Sequence, residues 1–326
     1  MREVIHQYGV ELEWVTDIAP KLGGYVDGNN IVVPGEARPG TRFILPINDN
    51  MTAFVVDVTY NEDVIYRLRN IRDDFVGVYY NLTEGDAVHI LDDVSRLAGR
   101  WGCNLAVFDA NLGGDYLVKM GCTTFMLAIF IKKSALKNYF SKTEQYDQIL
   151  DSVFDSEKNT IVKFDRMGSQ AWWLMNELRK TNATGALYET MVIGTVYGLL
   201  CDYLDQTANQ EIILEKVVQE DVVNIIASQA YLVEHIEEQF AGITKLATDA
   251  NMSETKYKRL FKKIIGITPN AFFLTNKLSF AKEKLETGNY TVGEIAVKFN
   301  FTDASHLIEQ FKRAFGITPK EYLTLL

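Results

Sequence analysis

The tetrad Gly266-Ile267-Thr268-Pro269 returns as Gly316-Ile317-Thr318-Pro319, and no other feature restricts the fold of this chain as tightly. The copy extends upstream. Leu246-Ala247 answers Ile295-Ala296, Asn251-Met252-Ser253 answers Asn300-Phe301-Thr302, and Phe261-Lys262-Lys263 answers Phe311-Lys312-Arg313. An internal repeat of this kind is one supersecondary unit used twice. Ser253 precedes Phe261 by eight positions and Thr302 precedes Phe311 by nine, so the second copy carries one extra residue. Within each tetrad, Gly suits the left-handed position just past a helix end, Thr caps the next helix, and Pro fits its first turn. The tetrads therefore predict corners between helices. Ser253 and Thr302-Asp303 are N-cap residue types. They stand ahead of apolar residues at helical spacing: Tyr257, Leu260, Phe261 and Ile264 in one copy, Leu307, Phe311 and Ala314 in the other. Residues 243–250 and 292–299 read as short preceding helices. Helix, tight turn, capped helix and corner is the order of a helix-turn-helix, and it occurs twice.

These residues resemble the DNA-binding domain of the AraC/XylS family of bacterial transcription regulators over about 221–326, the last third of the chain. The matching pattern is the Leu246-Ala247 pair, a capped helix ending in basic Phe261-Lys262-Lys263, the Gly266–Pro269 corner, a connecting helix bearing a cation, and a second such set. The resemblance implies double-stranded DNA as partner, a homodimer, RNA polymerase as a further partner, and a cytoplasmic regulator. It places Thr255, Lys258 and Arg259 at base-contacting positions, and Lys277 where the family carries Arg. It implies Ala304, Ser305 and Ile308 as the second copy's base contacts, with Lys312 beside them. The helical spacing by itself turns Tyr257, Leu260 and Phe261 inward and leaves Thr255, Lys256, Lys258, Arg259, Lys262 and Lys263 outside. Arg259 or Lys258 can pair with guanine in the major groove, and Lys262 and Lys263 can hold phosphates. A connecting helix over 268–285 is roughly 27 Å long at 1.5 Å per residue, compatible with two readers in successive grooves about 34 Å apart.

The second copy departs from that pattern. Asn300 replaces a Gly of the turn, which Asn tolerates because it visits the left-handed region. His306 and Leu307 are expected in the core. Ile308 and Glu309 stand where the family has a polar residue and then Arg, and a carboxylate facing DNA repels phosphate unless a cytosine amine donates to it. The first copy is therefore expected to dominate affinity.

The net charge of −10 conceals a division. Residues 241–326 hold 13 Lys/Arg against 8 Asp/Glu, whereas 1–240 hold 20 against 35, a split of +5 and −15. A basic module on an acidic body suits phosphate neutralisation. Cys103, Cys122 and Cys201 are odd in number, widely spaced and set among apolar residues, as reduced thiols are. No run approaches the roughly 20 apolar residues of a membrane span, and no signal peptide opens the chain, so no membrane partner is expected.

The fold class expected is α+β: an antiparallel β barrel or sandwich with helices over 1–215, then an all-α double helix-turn-helix domain over 216–326. Short runs rich in Val, Ile, Phe and Tyr, separated by Gly, Pro, Asn and Asp, predict strands at 31–33, 42–47, 51–60, 64–68, 75–82, 87–91, 104–108, 116–120 and 125–131. Helices are predicted at 134–140, 146–154, 167–180 and 185–206, with a short extended piece at 160–164. In the longest, Leu187, Met191, Gly194, Gly198, Cys201 and Leu204 form an apolar stripe, read as packing on its own domain or as a dimer face. Trp172 and Trp173 cannot share one helical face, so one lies at an edge. A fairly stiff joint, helical over 212–218, is expected to lead into the second domain. The family resemblance implies a cupin-like barrel that senses a small molecule, and a ligand pocket with it.

The residues point away from catalysis. A cupin enzyme needs a cluster of histidines with a carboxylate, but of four histidines only His6, at the terminus, and His89, expected half-exposed on a strand, fall in this body. No nucleophile elbow, P-loop or dinucleotide fingerprint occurs, and no cofactor or metal is expected. Two other readings remain. One is a cupin-like ligand-binding protein or enzyme with an accessory helical interaction domain; the other is a helical module that has lost DNA affinity, at which Glu309 hints.

Overall fold

The computed structural model describes residues 1–91, 94–99, 104–141, 150–155, 157–165, 167–208 and 215–324. Cys103 and positions 142–149 and 209–214 of the expected helix and joint lie outside the described residues. Two compact units divide the chain: residues 1–223 with 263–266, and residues 224–262 with 267–326.

The first unit runs β1 (Arg2–His6), α1 (Glu13–Lys21), β2 (Tyr25–Asp27), β3 (Asn30–Val32), β4 (Gly40–Asn48), β5 (Met51–Thr59), β6 (Val64–Leu68), β7 (Phe75–Asn81), β8 (Ala87–Leu91) and β9 (Val94–Leu97). It continues through β10 (Leu105–Asp109), β11 (Gly114–Val118), β12 (Thr123–Lys132), α2 (Lys133–Phe140), α3 (Leu150–Val153), β13 (Val162–Asp165), α4 (Ser169–Lys180) and α5 (Tyr188–Ala208). Eight strands form one sheet in the order β13-β10-β7-β12-β5-β4-β3-β2, and five form another, β1-β6-β11-β8-β9. All pairings are antiparallel except β1 with β6, which is parallel. The apolar runs expected as strands lie in these sheets. Along β5, Ala53 and Val55 join one core while Phe54 and Val56 line a cavity, since successive side chains leave opposite faces.

The larger sheet is covered on both faces, which is why β7 is buried at every position. Phe43, Leu45, Ala53, Val55, Val78, Phe125, Leu127 and Ile129 join one core with Met175, Val192, Val196 and Leu199 of α4 and α5. Their neighbours one residue along, Arg42, Phe54, Val56, Tyr79 and Met126, face a cavity that is also lined by β1, β6, β8 and β11 of the smaller sheet.

Several expectations are corrected. Most of the apolar stripe of α5 points the other way: Tyr188, Val192, Val196, Leu199 and Tyr203 are the buried side, whereas Leu187 is 71% exposed and Met191, Gly194 and Cys201 are exposed; Leu204 packs against the core and Gly198 is half-buried. The helix is apolar almost all round, so periodicity alone could not choose its inner face. Trp172 packs against the core and Trp173 is exposed, as the pair required. Residues 215–218 are not helical. The strands β1, β2 and β9 and helix α1 were not foreseen. His6 is buried in β1, not free at a terminus; His89 is half-buried on β8, as expected, and lines the cavity.

The second unit is helical. Following α6 (Gln219–Glu234), which crosses the division, it comprises α7 (Ile243–Asp249), α8 (Glu254–Ile265), α9 (Pro269–Glu286), α10 (Val292–Lys298), α11 (Ala304–Phe315) and α12 (Pro319–Leu323). The helices predicted by the repeat occur in order, and α9 has the expected 18 residues.

Candidate nucleic-acid interface

The corners are built as the tetrads require. Gly266 and Gly316 have φ of 87° and 81°, in the left-handed region. Thr268 caps α9 by accepting from Ala271 N, and Thr318 caps α12 in a reciprocal box with Glu321. In both helix-turn-helix turns an Asn takes the left-handed position, with φ of 53° at Asn251 and 54° at Asn300. The extra residue of the second copy is absorbed before Asp303, which caps α11 through His306 N at 2.7 Å. As a result α8 and α11 are both 12 residues long, and Tyr257, Phe261 and Lys262 correspond to Leu307, Phe311 and Lys312.

On α8, Tyr257, Leu260, Phe261 and Ile264 are fully buried. Thr255, Lys258 and Arg259 are exposed, and Lys256 and Lys262 are half-buried. Thr255, Lys258, Arg259 and Lys262 fall at spacings of three, four and seven, so they share one helical face. That face can offer a guanidinium fork and two ammonium groups to a duplex. On α11 the matching face carries Ser305, Ile308, Glu309 and Lys312, all exposed, with Ala304 half-buried. Leu307 is buried as expected, while His306 is only half-buried and packs edge-on against Phe301.

Two cations foreseen at this surface are placed elsewhere. Lys277 is 4% exposed; its ammonium donates to the Glu238 carbonyl at 2.6 Å and lies 4.7 Å from the Phe273 ring centre. One turn along α9 from Phe273 and one turn before Ala281, position 277 is on the inner face, so Lys277 ties α9 to the segment that follows α6 and is turned inward. Lys263 is half-buried, and its ammonium is engaged by the Asn159 side chain and the Glu215 carbonyl, residues grouped with it in the first unit.

Burial holds the Lys277 pKa down to about 8, from 10.5. Between those values the folded chain releases a proton that the unfolded chain keeps, so unfolding takes up protons and stability rises with pH through that window. Urea unfolding across it is expected to show that rise, and Lys277→Met to flatten it. An identical pH dependence in both proteins would place Lys277 in solvent.

The cavity of the first unit was implied only by family resemblance, and its residues were not named from the sequence. It measures about 100 Å³ and is walled largely by aromatic side chains. Burial lowers the pKa of His6 to about 4 and that of His89 to about 3, so both rings are neutral at neutral pH. One sequence signal was available: Arg42 is a charge inside the apolar strand β4. Among the described residues no group of His, Cys, Asp and Glu is placed to hold a metal, and no helix is long and apolar enough to cross a membrane.

A family model described as a helix-turn-helix domain matches residues 246–324. The probable transcriptional regulator LumQ of Photobacterium leiognathi is 25% identical over 99 residues, 30% of this chain and 40% of that one. The virulence regulon transcriptional activator VirF of Yersinia enterocolitica is 29% identical over 79 residues, 24% of this chain and 29% of that one. The chain thus spans less than half the length of either relative. The solved DNA-binding domain of AdpA, in complex with a target DNA, is 30% identical; the match covers 31% of this chain and 91% of that one, with a TM-score of 0.30.

Proposed function

Residues 246–324 form an AraC-type helix-turn-helix domain, and from that premise we propose that the protein is a sequence-specific DNA-binding regulator of transcription, controlled by a small molecule in its first unit. The observation that carries this reading is the helical face of exposed Thr255, Lys258 and Arg259 with half-buried Lys262, on a capped helix whose other face is fully buried. A helix so fixed presents its cations in one register, which is what reading a groove requires. Lys258 and Arg259 address bases, and Lys262 and Lys312 hold phosphates.

The second helix-turn-helix contributes less, because Ile308 and Glu309 replace the cations of the first. Ile308 is suited to a thymine methyl group. The regulator acts as a homodimer in the cytoplasm, and the outward side of α5 is the face we assign to pairing. Leu187, Met191, Ile193 and Tyr197 are exposed there, and the backbone at Gly194 has open space beside it. RNA polymerase is the partner that a bound regulator would engage.

Retention of the full chain on genomic fragments, followed against salt, tests the reading. The two phosphate contacts of Lys262 and Lys312 predict a slope of log affinity on log salt of about −1.8 per protomer, at about −0.9 each. Retention that ignores salt, or none at all, would favour a helical module that binds protein instead, the reading Glu309 allows.

A further inference from the structure

We propose that the cavity between the two sheets of the first unit is built for a short-chain monocarboxylate, with its carboxylate received by the guanidinium of Arg42. The proposal deepens the effector-controlled reading above and rests on it.

Arg42 is 3% exposed and lines the cavity. Its Nη2 donates to the Arg38 backbone carbonyl at 3.2 Å, whereas Nη1 finds no hydrogen-bond partner among the described residues. A buried cation with an unmatched donor is unfavourable unless an anion or strong acceptor meets it. The Tyr66 hydroxyl, itself bonded to that of Tyr60 at 3.1 Å, approaches the guanidinium, but a phenol is neutral and no carboxylate is paired with Arg42 among the described residues. Arg38, itself 3% exposed, brings a second positive charge close enough to oppose that of Arg42, and its Nε is paired with Glu62 at 3.2 Å. Asp115, the carboxylate among the lining residues, is held by Arg67 and by Arg69 at 2.9 Å. The neutral rings of His6 and His89 add no charge. The cavity therefore carries a positive site with no carboxylate against it, in a chamber walled largely by aromatic side chains.

The rest of the wall fixes the ligand's body. Phe54, Tyr79, Phe108 and Met126 offer apolar surface, with the Tyr79 and Phe108 rings stacked at 4.8 Å. A volume of about 100 Å³ equals the share of roughly three waters in the liquid, which suits about four to six non-hydrogen atoms. An arginine fork takes a carboxylate in matching geometry. A small acid with an apolar tail satisfies both the unmatched donor and the aromatic walls.

Calorimetry of the full chain, without DNA, tests this with butyrate and its neutral isostere butyramide. Butyrate is expected to bind saturably, one per chain, with a Kd at or below about 1 mM, and butyramide at least about tenfold more weakly. Arg42→Met is expected to weaken butyrate by about tenfold or more, while melting no lower than the parent because an unpaired buried charge is gone. The comparison of acid and amide on the unaltered chain needs no variant to fold. Equal binding of the two, unchanged butyrate binding by Arg42→Met, or no saturable butyrate binding overturns the proposal. Salt-dependent DNA retention is measured separately and can stand when this fails, in which case only the ligand class falls.

Discussion

Arg259→Ala in the full chain is expected to weaken binding to the preferred duplex by about 5- to 150-fold, the equivalent of roughly 1–3 kcal/mol for a bidentate arginine–guanine pair. It should also flatten the preference among sequences. The argument is geometric. Arg259 is exposed one turn beyond Thr255 and one turn before Lys262, on a helix anchored by Tyr257, Leu260 and Phe261 at 0% exposure. Anchoring of this kind fixes where the fork points, so its loss removes a directed contact and not merely a charge. Lys262→Ala serves as the contrast. It should weaken all sequences alike and reduce the salt slope by about one phosphate, since an ammonium on phosphate carries no base information. A quantitative shift assay over a randomised site reads both effects. Unaltered affinity and selectivity in Arg259→Ala would remove α8 from the role of reader.

Phe261→Ala is expected to destabilise the helical unit by about 3–5 kcal/mol, the range for truncating a fully buried Phe. Its ring lies 5.7 Å from those of Tyr257 and Phe272, edge-on to the latter, so it joins α8 to the start of α9. For a unit of this size each kcal/mol moves the midpoint by about 4–8 °C, and domains typically have only about 5–15 kcal/mol in hand. A large drop in the unit's melting midpoint is the expected result, with DNA binding lost along with helical signal. Circular dichroism separates this from Arg259→Ala, which weakens binding and leaves the fold. A midpoint within a few degrees of the parent would mean that Phe261 is not the linchpin its burial suggests.

How far the sequence could be read differed between the two units. In the helical unit the signals were local and redundant. A left-handed Gly, a capping Thr and an N-terminal Pro at each corner specify backbone geometry within four residues, and Asn251 and Asn300 do the same for the turns. In the first unit most strands were legible from runs rich in Val, Ile, Phe and Tyr and the turn residues between them. The parallel pairing of β1 with β6 was not, nor was α1, whose Pro20 is within the helix. Neither carries a signal that separates it from a loop at the level of a few residues.

Side-chain placement failed where an element is apolar on more than one side or where a charge has a buried use. The stripe Leu187, Met191, Gly194 and Cys201 satisfies helical periodicity as well as Tyr188, Val192, Val196 and Leu199 do, and only packing against the large sheet selected the second. Lys277 shows the same limit. Resemblance and charge both suggested an outward cation, yet the Glu238 carbonyl and the Phe273 ring hold it inside.

The sequence by itself determined the double helix-turn-helix, its corners and caps, and which residues of α8 face away from its core, because those depend on contacts within a turn or two of chain. Tertiary structure alone decided which face of α5 is inward, that Lys277 is structural, and that Arg42, His6 and His89 meet around one cavity. Those outcomes depend on strands far apart in sequence coming to face one another, and no local periodicity encodes which distant surface a side chain will meet.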